Sequence, residues 1–492
     1  MKAWQNVINT AMLGTEKLPL ANDNFNEALI NAISKVDLAE ELDNEDKFLQ
    51  KTAIIYNFRR CGFVPFKAPE LQENYAEAEI SPYCSPIAAN ILQNLIAEDL
   101  NILIEFWLQQ CSAKNQIILP EHLPQILDKA AQQVILQQNA VLCCGNRGKW
   151  LSQFNTQWNY FNEMPAAAIW KDGNPTARLK VLKELRKTDP AQARTWLEET
   201  WAQETAAAKI DLLGALRVNL NNEDLPWLES LVGEKSQKLK DLVNSLLKEI
   251  PDSAIVKQYE ALLVNMVSIK HEKAFLGLVN KSAITINVPA IIEENIFKTG
   301  IEKMSGPNSG FSDDEYLVYQ LITFVPPSFW EKHFEANPEK VFEYFSKSAP
   351  KLISALAQAV ARFKNKNWVA CFLDQDSFYP DFIGLLSGQE QEKYIAKYLN
   401  SNDTAIQCAF KLDTEWSEKF AMPLLNYMAD KPYQYNRAVY NQNIKLIPAG
   451  LIDWIQSIET KDITVKSTWE KTSDHIHKLL ELKQQILKAF NA

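Results

Sequence analysis

Glycine is scarce in this chain, 14 in 492 residues. A sheet-and-turn protein of that length needs many more residues that tolerate turn backbones, so extensive sheet is excluded. No apolar run reaches the ~18 residues that a membrane-spanning helix requires. Near the start, Gln5, Asn6 and Asn9 interrupt the hydrophobic residues, so no signal peptide is expected. The seven cysteines (Cys61, Cys84, Cys111, Cys143, Cys144, Cys371 and Cys408) include no Cys-x-x-Cys pair. An odd set without ligand spacing reads as buried free thiols in a reducing cytoplasm. Positive charge is in deficit too: 51 Lys and Arg against 61 Asp and Glu give a net charge of −10. Non-specific DNA or RNA binding draws its affinity from Lys and Arg displacing phosphate counterions. The balance therefore disfavours nucleic acid, and only a basic groove on the folded surface would revive it.

Catalytic signatures are equally thin. There is no Gly-x-Ser-x-Gly, and the five histidines sit on charged or amphipathic stretches with no nucleophile singled out beside them. His475 and His477 lie two apart in a helical stretch, so their side chains diverge by about 200° and cannot share a metal from one face. Arg59-Arg60 closes a helical segment, where cations suit the negative end of the dipole. Asp313-Asp314-Glu315, before an apolar helical stretch, suits the positive end of that helix. Gly145-Asn146-Arg147-Gly148-Lys149-Trp150 comes nearest to a nucleotide loop. That loop needs Gly-x4-Gly-Lys-Ser/Thr, but Cys143 stands at the first glycine and Trp150 where the hydroxyl should be. The spacing predicts instead a helix end at Gly145, a tight turn at Gly148, Arg147 capping exposed carbonyls and Trp150 plugging the next hairpin. Arg147 and Lys149 remain candidates for an anion or partner contact. No catalytic residue, cofactor or metal is expected.

Helical periodicity is abundant. Between Ala177 and Leu263 one pattern recurs at a period of ~30 residues, the signature of helical repeats. Arg178-Leu179, Lys209-Ile210 and Lys238-Leu239 open three successive helices, with Leu182, Leu213 and Leu242 three residues on. Leu239, Leu242, Val243, Leu246, Leu247 and Ile250 trace a single apolar face. Asp189 followed by Pro190 is a cap with proline at the first helical position. The periodicity predicts helices at 178–187, 191–203, 207–219 and 238–249, sequential ones packing as antiparallel neighbours.

Elsewhere, three helices are expected in 1–62. Trp4, Val7, Ile8, Ala11 and Met12 form the first stripe, and Asn24 caps the second helix. An irregular stretch with Pro65, Pro69 and Pro82 follows, then helices to about residue 140. Ile284, Ile286 and Val288 alternate as a short strand does, and Ile463-Thr464-Val465 is the candidate partner for it. Ser305–Gly310 reads as a flexible loop. The organisation expected is an N-terminal helical region at 1–140, helical repeats at 141–265, an irregular connector at 266–315 and a C-terminal helical region at 316–492.

At four places the residues resemble a known family: Met12-Leu13-Gly14-Thr15-Glu16-Lys17, Gly145–Leu151, the repeats with Asp189-Pro190, and Val325-Pro326-Pro327 followed by Trp330-Glu331. Together they are similar to an uncharacterised bacterial family of HEAT-repeat-like helical proteins. Its members are commonly encoded beside a SWIM zinc-finger protein, a MoxR-type AAA+ ATPase and a von Willebrand factor A domain protein. One departure is Cys144, where the family pattern usually has leucine. The resemblance implies architecture and company, and it carries no catalytic residues.

The fold expected is all-α, an irregular HEAT-like α-solenoid of stacked helical hairpins with room for one or two very short strands. The function expected is a non-enzymatic protein-binding scaffold in the cytoplasm, away from membranes and nucleic acid. The resemblance supplies its expected partners, a MoxR-type ATPase and a von Willebrand A protein. The alternative is an enzyme or small-molecule sensor with a pocket between the N-terminal helices and the repeats.

Overall fold

The computed structural model describes residues 2–22, 25, 27–61, 74–161, 165–274, 279–307 and 310–491. Asn24, Pro65, Pro69, Asn308 and Ser309 lie outside the described residues. The described chain is all-α apart from one two-stranded sheet. It divides into two compact units, 1–75 and 76–492.

The first unit holds the helices Lys2–Leu13, Glu27–Asp37 and Asn44–Cys61. Val7, Leu20, Phe25, Leu29, Ile33 and Ile55 make its core. The first stripe is buried only in part. Val7 and Thr10 point inward, while Met12, in the last turn, is 81% exposed; Gly14, at φ 89°, stands just past the end of the helix. Arg59 and Arg60 occupy the last turn of Asn44–Cys61, stacked over Trp4 and Tyr56.

In the second unit the repeats follow the periodicity. Pro175–Thr188 packs on Pro190–Thr200 and on Ala206–Gly214. Gln237–Leu247 packs on Ala206–Gly214 and on Leu225–Ser230. Tight 3₁₀ turns at Trp201–Gln203 and Ala215–Arg217 finish two of these helices. The joints hold because the caps are real. Asn174 accepts the N–H of Ala177, Asp189 that of Gln192, and Thr205 that of Ala208, each satisfying a donor that a helix start leaves orphaned. Leu182, Leu213, Val243 and Leu246 are fully buried. The acidic turn at 313–315 opens Asp313–Thr323, where Ser312 and Glu315 form a capping box.

The sheet departs from expectation. Val279–Ile286 pairs with Val267–Ala274, Ile284 opposite Ile269, as an antiparallel hairpin. Residues 463–465 form a 3₁₀ turn capped by Asp462. A local hairpin closes a short loop, and pairing across some 180 residues forfeits more chain entropy.

One hydrophobic core runs through the second unit from Cys84 to Phe490. Its last helix, Lys466–Asn491, packs on its first two, Pro86–Ala97 and Asn101–Ala113. Trp107 and Phe490 meet edge to face at 5.1 Å, and Lys478 reaches Glu98 at 2.6 Å. Lys483, fully buried in that last helix, donates to the carbonyls of Ile444 at 3.2 Å, Lys445 at 2.8 Å and Ile447 at 2.6 Å, and pairs with Glu415 at 2.5 Å. His475 stands 2.7 Å from the side-chain oxygen of Asn441. Burial, with Arg437 and Lys478 nearby, lowers its pKa.

Candidate functional site

Three of the places that carry the family resemblance fall in the second unit, and each has a definite structural role. Residues 145–152 are a helix that follows Val134–Cys143 after a single residue, Cys144. Gly145, at φ 60°, makes the bend. The two oxygens of Glu79 accept the N–H groups of Asn146 and Arg147, both at 2.8 Å. The anion position at this helix start is therefore filled from within the chain. Gly148 is no turn: it lies buried inside the helix, where a Cβ would meet Cys144 at 2.3 Å and Phe161 at 3.4 Å. Close packing, not backbone freedom, requires glycine there. Arg147 engages through its backbone N–H, and its side chain, like that of Lys149, is exposed. Trp150 is half-buried against Phe154 at 4.9 Å instead of plugging a hairpin. Gly145→Ala should cost about 2 kcal/mol, from the left-handed φ and the displaced Glu79 carboxylate. Thermal unfolding followed by circular dichroism reads it, and an unchanged melting temperature would contradict the capping role.

The Asp189-Pro190 joint covers a buried ion pair. Arg186, on the same helix face as Leu182, directs both terminal nitrogens at Asp224, at 2.9 and 2.7 Å, and neither side chain is exposed. Its remaining N–H groups go to the carbonyls of Pro190, Leu216, Val218 and Asn219. Arg194 adds a second cation on Asp224 at 2.9 Å. The guanidinium thus ties three consecutive segments together.

The Val325–Glu331 stretch is different, because it borders open space. Three successive helix pairs turn side by side: Gln237–Leu247 into Ala254–Met266, Asp313–Thr323 into Ser328–Phe334, and Ile353–Arg362 into Lys366–Leu373. Ala254–Met266 packs on Asp313–Thr323, which packs on Ile353–Arg362. Inside the turns, Lys248 and Arg362 complement helix C-termini. Lys248 donates to Thr299 O at 3.0 Å and Arg362 to Thr323 O at 3.1 Å, and both stand over the Phe324 ring. Burial lowers the pKa of each. Trp330 is fully buried, and Glu331 accepts the indole N–H of Trp368 at 2.7 Å, joining the second pair to the third.

Across the outside of these turns lies a cleft of about 520 Å³. Pro251, Pro326, Phe329 and Phe363 give it apolar walls, and Asn365 and Asn367 supply amides. Four lysines border it (Lys257, Lys332, Lys364 and Lys366) against two carboxylates, Asp252 and Glu260. Both carboxylates are taken by Lys257, at 3.7 and 3.1 Å. Lys332, Lys364 and Lys366 are exposed and form no ion pair among the described residues. Lys366 acts on Glu390 only at a distance, as one of several groups that lower its pKa, after its hydrogen bonds to Ser387. Lys364 holds φ 51°. Its N–H bonds Ala361 O and that of Asn365 bonds Val360 O, the paired bonds of a Schellman helix end with lysine in the glycine position.

The chain matches a family of unknown function, DUF5691, over residues 6–490. It belongs to that family. No curated protein and no solved structure matches it. The DUF5691 match covers both units, so the lysine-bordered cleft and the buried Arg186–Asp224 pair both fall within the family's span.

Among the described residues no three His, Cys, Asp or Glu side chains converge as a metal site. Sequence reasoning missed Glu79, Arg186 with Asp224, and the lysines of the cleft. Two signals were available. An arginine stands in an apolar stripe at 186, and Lys364-Asn365-Lys366-Asn367 sits at a helix junction where turn residues are ordinarily small.

Proposed function

We propose that the protein is a non-enzymatic scaffold that binds another protein, and that its stacked hairpins are HEAT-like. The observation that carries this reading is the cleft across three adjacent interhelix turns, which collects unpaired lysines on a chain of net charge −10. Helical stacks present such edges as broad, shallow surfaces suited to chains more than to small molecules. The sequence resemblance names the partners to try first, a MoxR-type AAA+ ATPase and a von Willebrand factor A domain protein. The free thiols, five of them buried, fit a reducing cytoplasm. No helix among the described residues is long and apolar enough to cross a membrane.

The test is co-purification with each of the two partner types, with and without ATP, beside an unbiased metabolite screen. Association that weakens with salt supports the scaffold. Absence of association with either, together with a tightly held small molecule or a turnover signal, would move the protein to the enzyme or sensor class.

A further inference from the structure

We infer that the cleft at the turn edge takes an acidic peptide segment of the partner, a stretch of Asp and Glu residues interspersed with apolar ones. This rests on the scaffold reading and adds the site and the chemistry that would be recognised.

The lining decides the class. Lys332 stands near the end of Ser328–Phe334, and Lys364 and Lys366 stand at the junction of Ile353–Arg362 with Lys366–Leu373, so the lysines reach the cleft from two different helix pairs. A single phosphate or carboxylate engages one or two such ammonium groups, whereas an extended chain with several carboxylates engages all three. The same cleft is lined by Phe329 and Phe363, half-buried and able to cover apolar side chains, and by Asn365, whose amide is able to bond a peptide backbone. The rest of the molecule argues against a long polyanion. At −10 overall, surface beyond the cleft repels the further phosphates of a nucleic acid, while a short acidic segment ends where the lysines end.

Lys364 offers a way to separate fold from binding. In the left-handed position a glycine is easier than any lysine. Lys364→Gly is therefore expected to raise the melting temperature by about 1–2 °C while weakening the acidic ligand.

The experiment uses the full chain and a fluorescein-labelled twelve-residue peptide of alternating Glu and Leu-Ser steps, read by fluorescence anisotropy. Controls are a peptide with Gln for Glu, pyrophosphate, and a single-stranded oligonucleotide of matching charge. The acidic peptide should bind and the Gln peptide should not. Affinity should fall steeply between low and physiological salt, because these charges are exposed. The triple variant Lys332→Ala, Lys364→Ala, Lys366→Ala should bind roughly tenfold more weakly with an unchanged circular dichroism spectrum. Absence of peptide binding, equal binding by the triple variant, or tighter binding of pyrophosphate or the oligonucleotide overturns the inference. If the triple variant still co-purifies with a folded partner, the acidic-segment idea falls and the scaffold reading stands. If the wild type captures no protein partner but binds the peptide, the cleft chemistry stands and the scaffold reading falls.

Discussion

Asp224→Ala should destabilise the repeats by about 3–5 kcal/mol, the usual consequence of leaving a buried charge without its partner. Arg186 has no route to water from its position, and its other acceptors are neutral carbonyls. Arg194 would lose the same carboxylate, although its exposed edge lets water replace it. The decisive measurement is a double-mutant cycle with Arg186→Met, using thermal unfolding and proteolysis within 175–250 as separate readouts. Most of the Asp224→Ala penalty is the unpaired guanidinium, so removing both groups should cost far less than the sum of the single changes. Some cost should persist, because Leu216 and Val218 would then present carbonyls with no donor, while that of Asn219 keeps the Asn221 amide at 3.2 Å. Additive effects would mean that the pair does not act as one unit.

Lys483→Met should cost about 2–4 kcal/mol. The carbonyls of Lys445 and Ile447 would lose their donor at once, while that of Ile444 keeps the Ile447 N–H at 3.3 Å, at about 1–3 kcal/mol for each left unsatisfied, less what relaxation recovers. Glu415 is half exposed and would return to solvent. The loss should be felt in the last helix first. Protease sensitivity should therefore appear within 466–491 at temperatures where Pro175–Thr188 is still protected. Uniform sensitivity along the chain would show that the last helix is not held by this lysine.

How far these features could be read in advance depended on the range of the interaction. Helix starts at Asp189-Pro190 and at the acidic turn 313–315 were legible, since such a start is decided within four residues, although the Ser312 cap itself was not read. The apolar face of Gln237–Leu247 was legible for the same reason. What escaped were choices made at a distance. Glu79 caps a helix 67 residues away, and Asp224 neutralises an arginine 38 residues earlier. No period or motif announces such pairings. At Gly148 the residue type was noted but its cause was misjudged, because close approach of a neighbour, here Cys144, and a positive φ both select glycine and the sequence does not distinguish them. The cleft is the extreme case. Its lysines belong to separate helix pairs, and only the packing of those pairs brings them to one cleft.

The contact between Lys466–Asn491 and the helices at 86–113 sets a timetable for synthesis. Trp107 and its neighbours emerge early, but the surface that covers them arrives some 380 residues later, as the Lys478–Glu98 separation shows. At ~5–20 residues per second a ribosome takes roughly 20–80 s to cover that distance. For all of that interval the apolar face of the helices at 86–113 lacks the last helix that covers it in the finished fold.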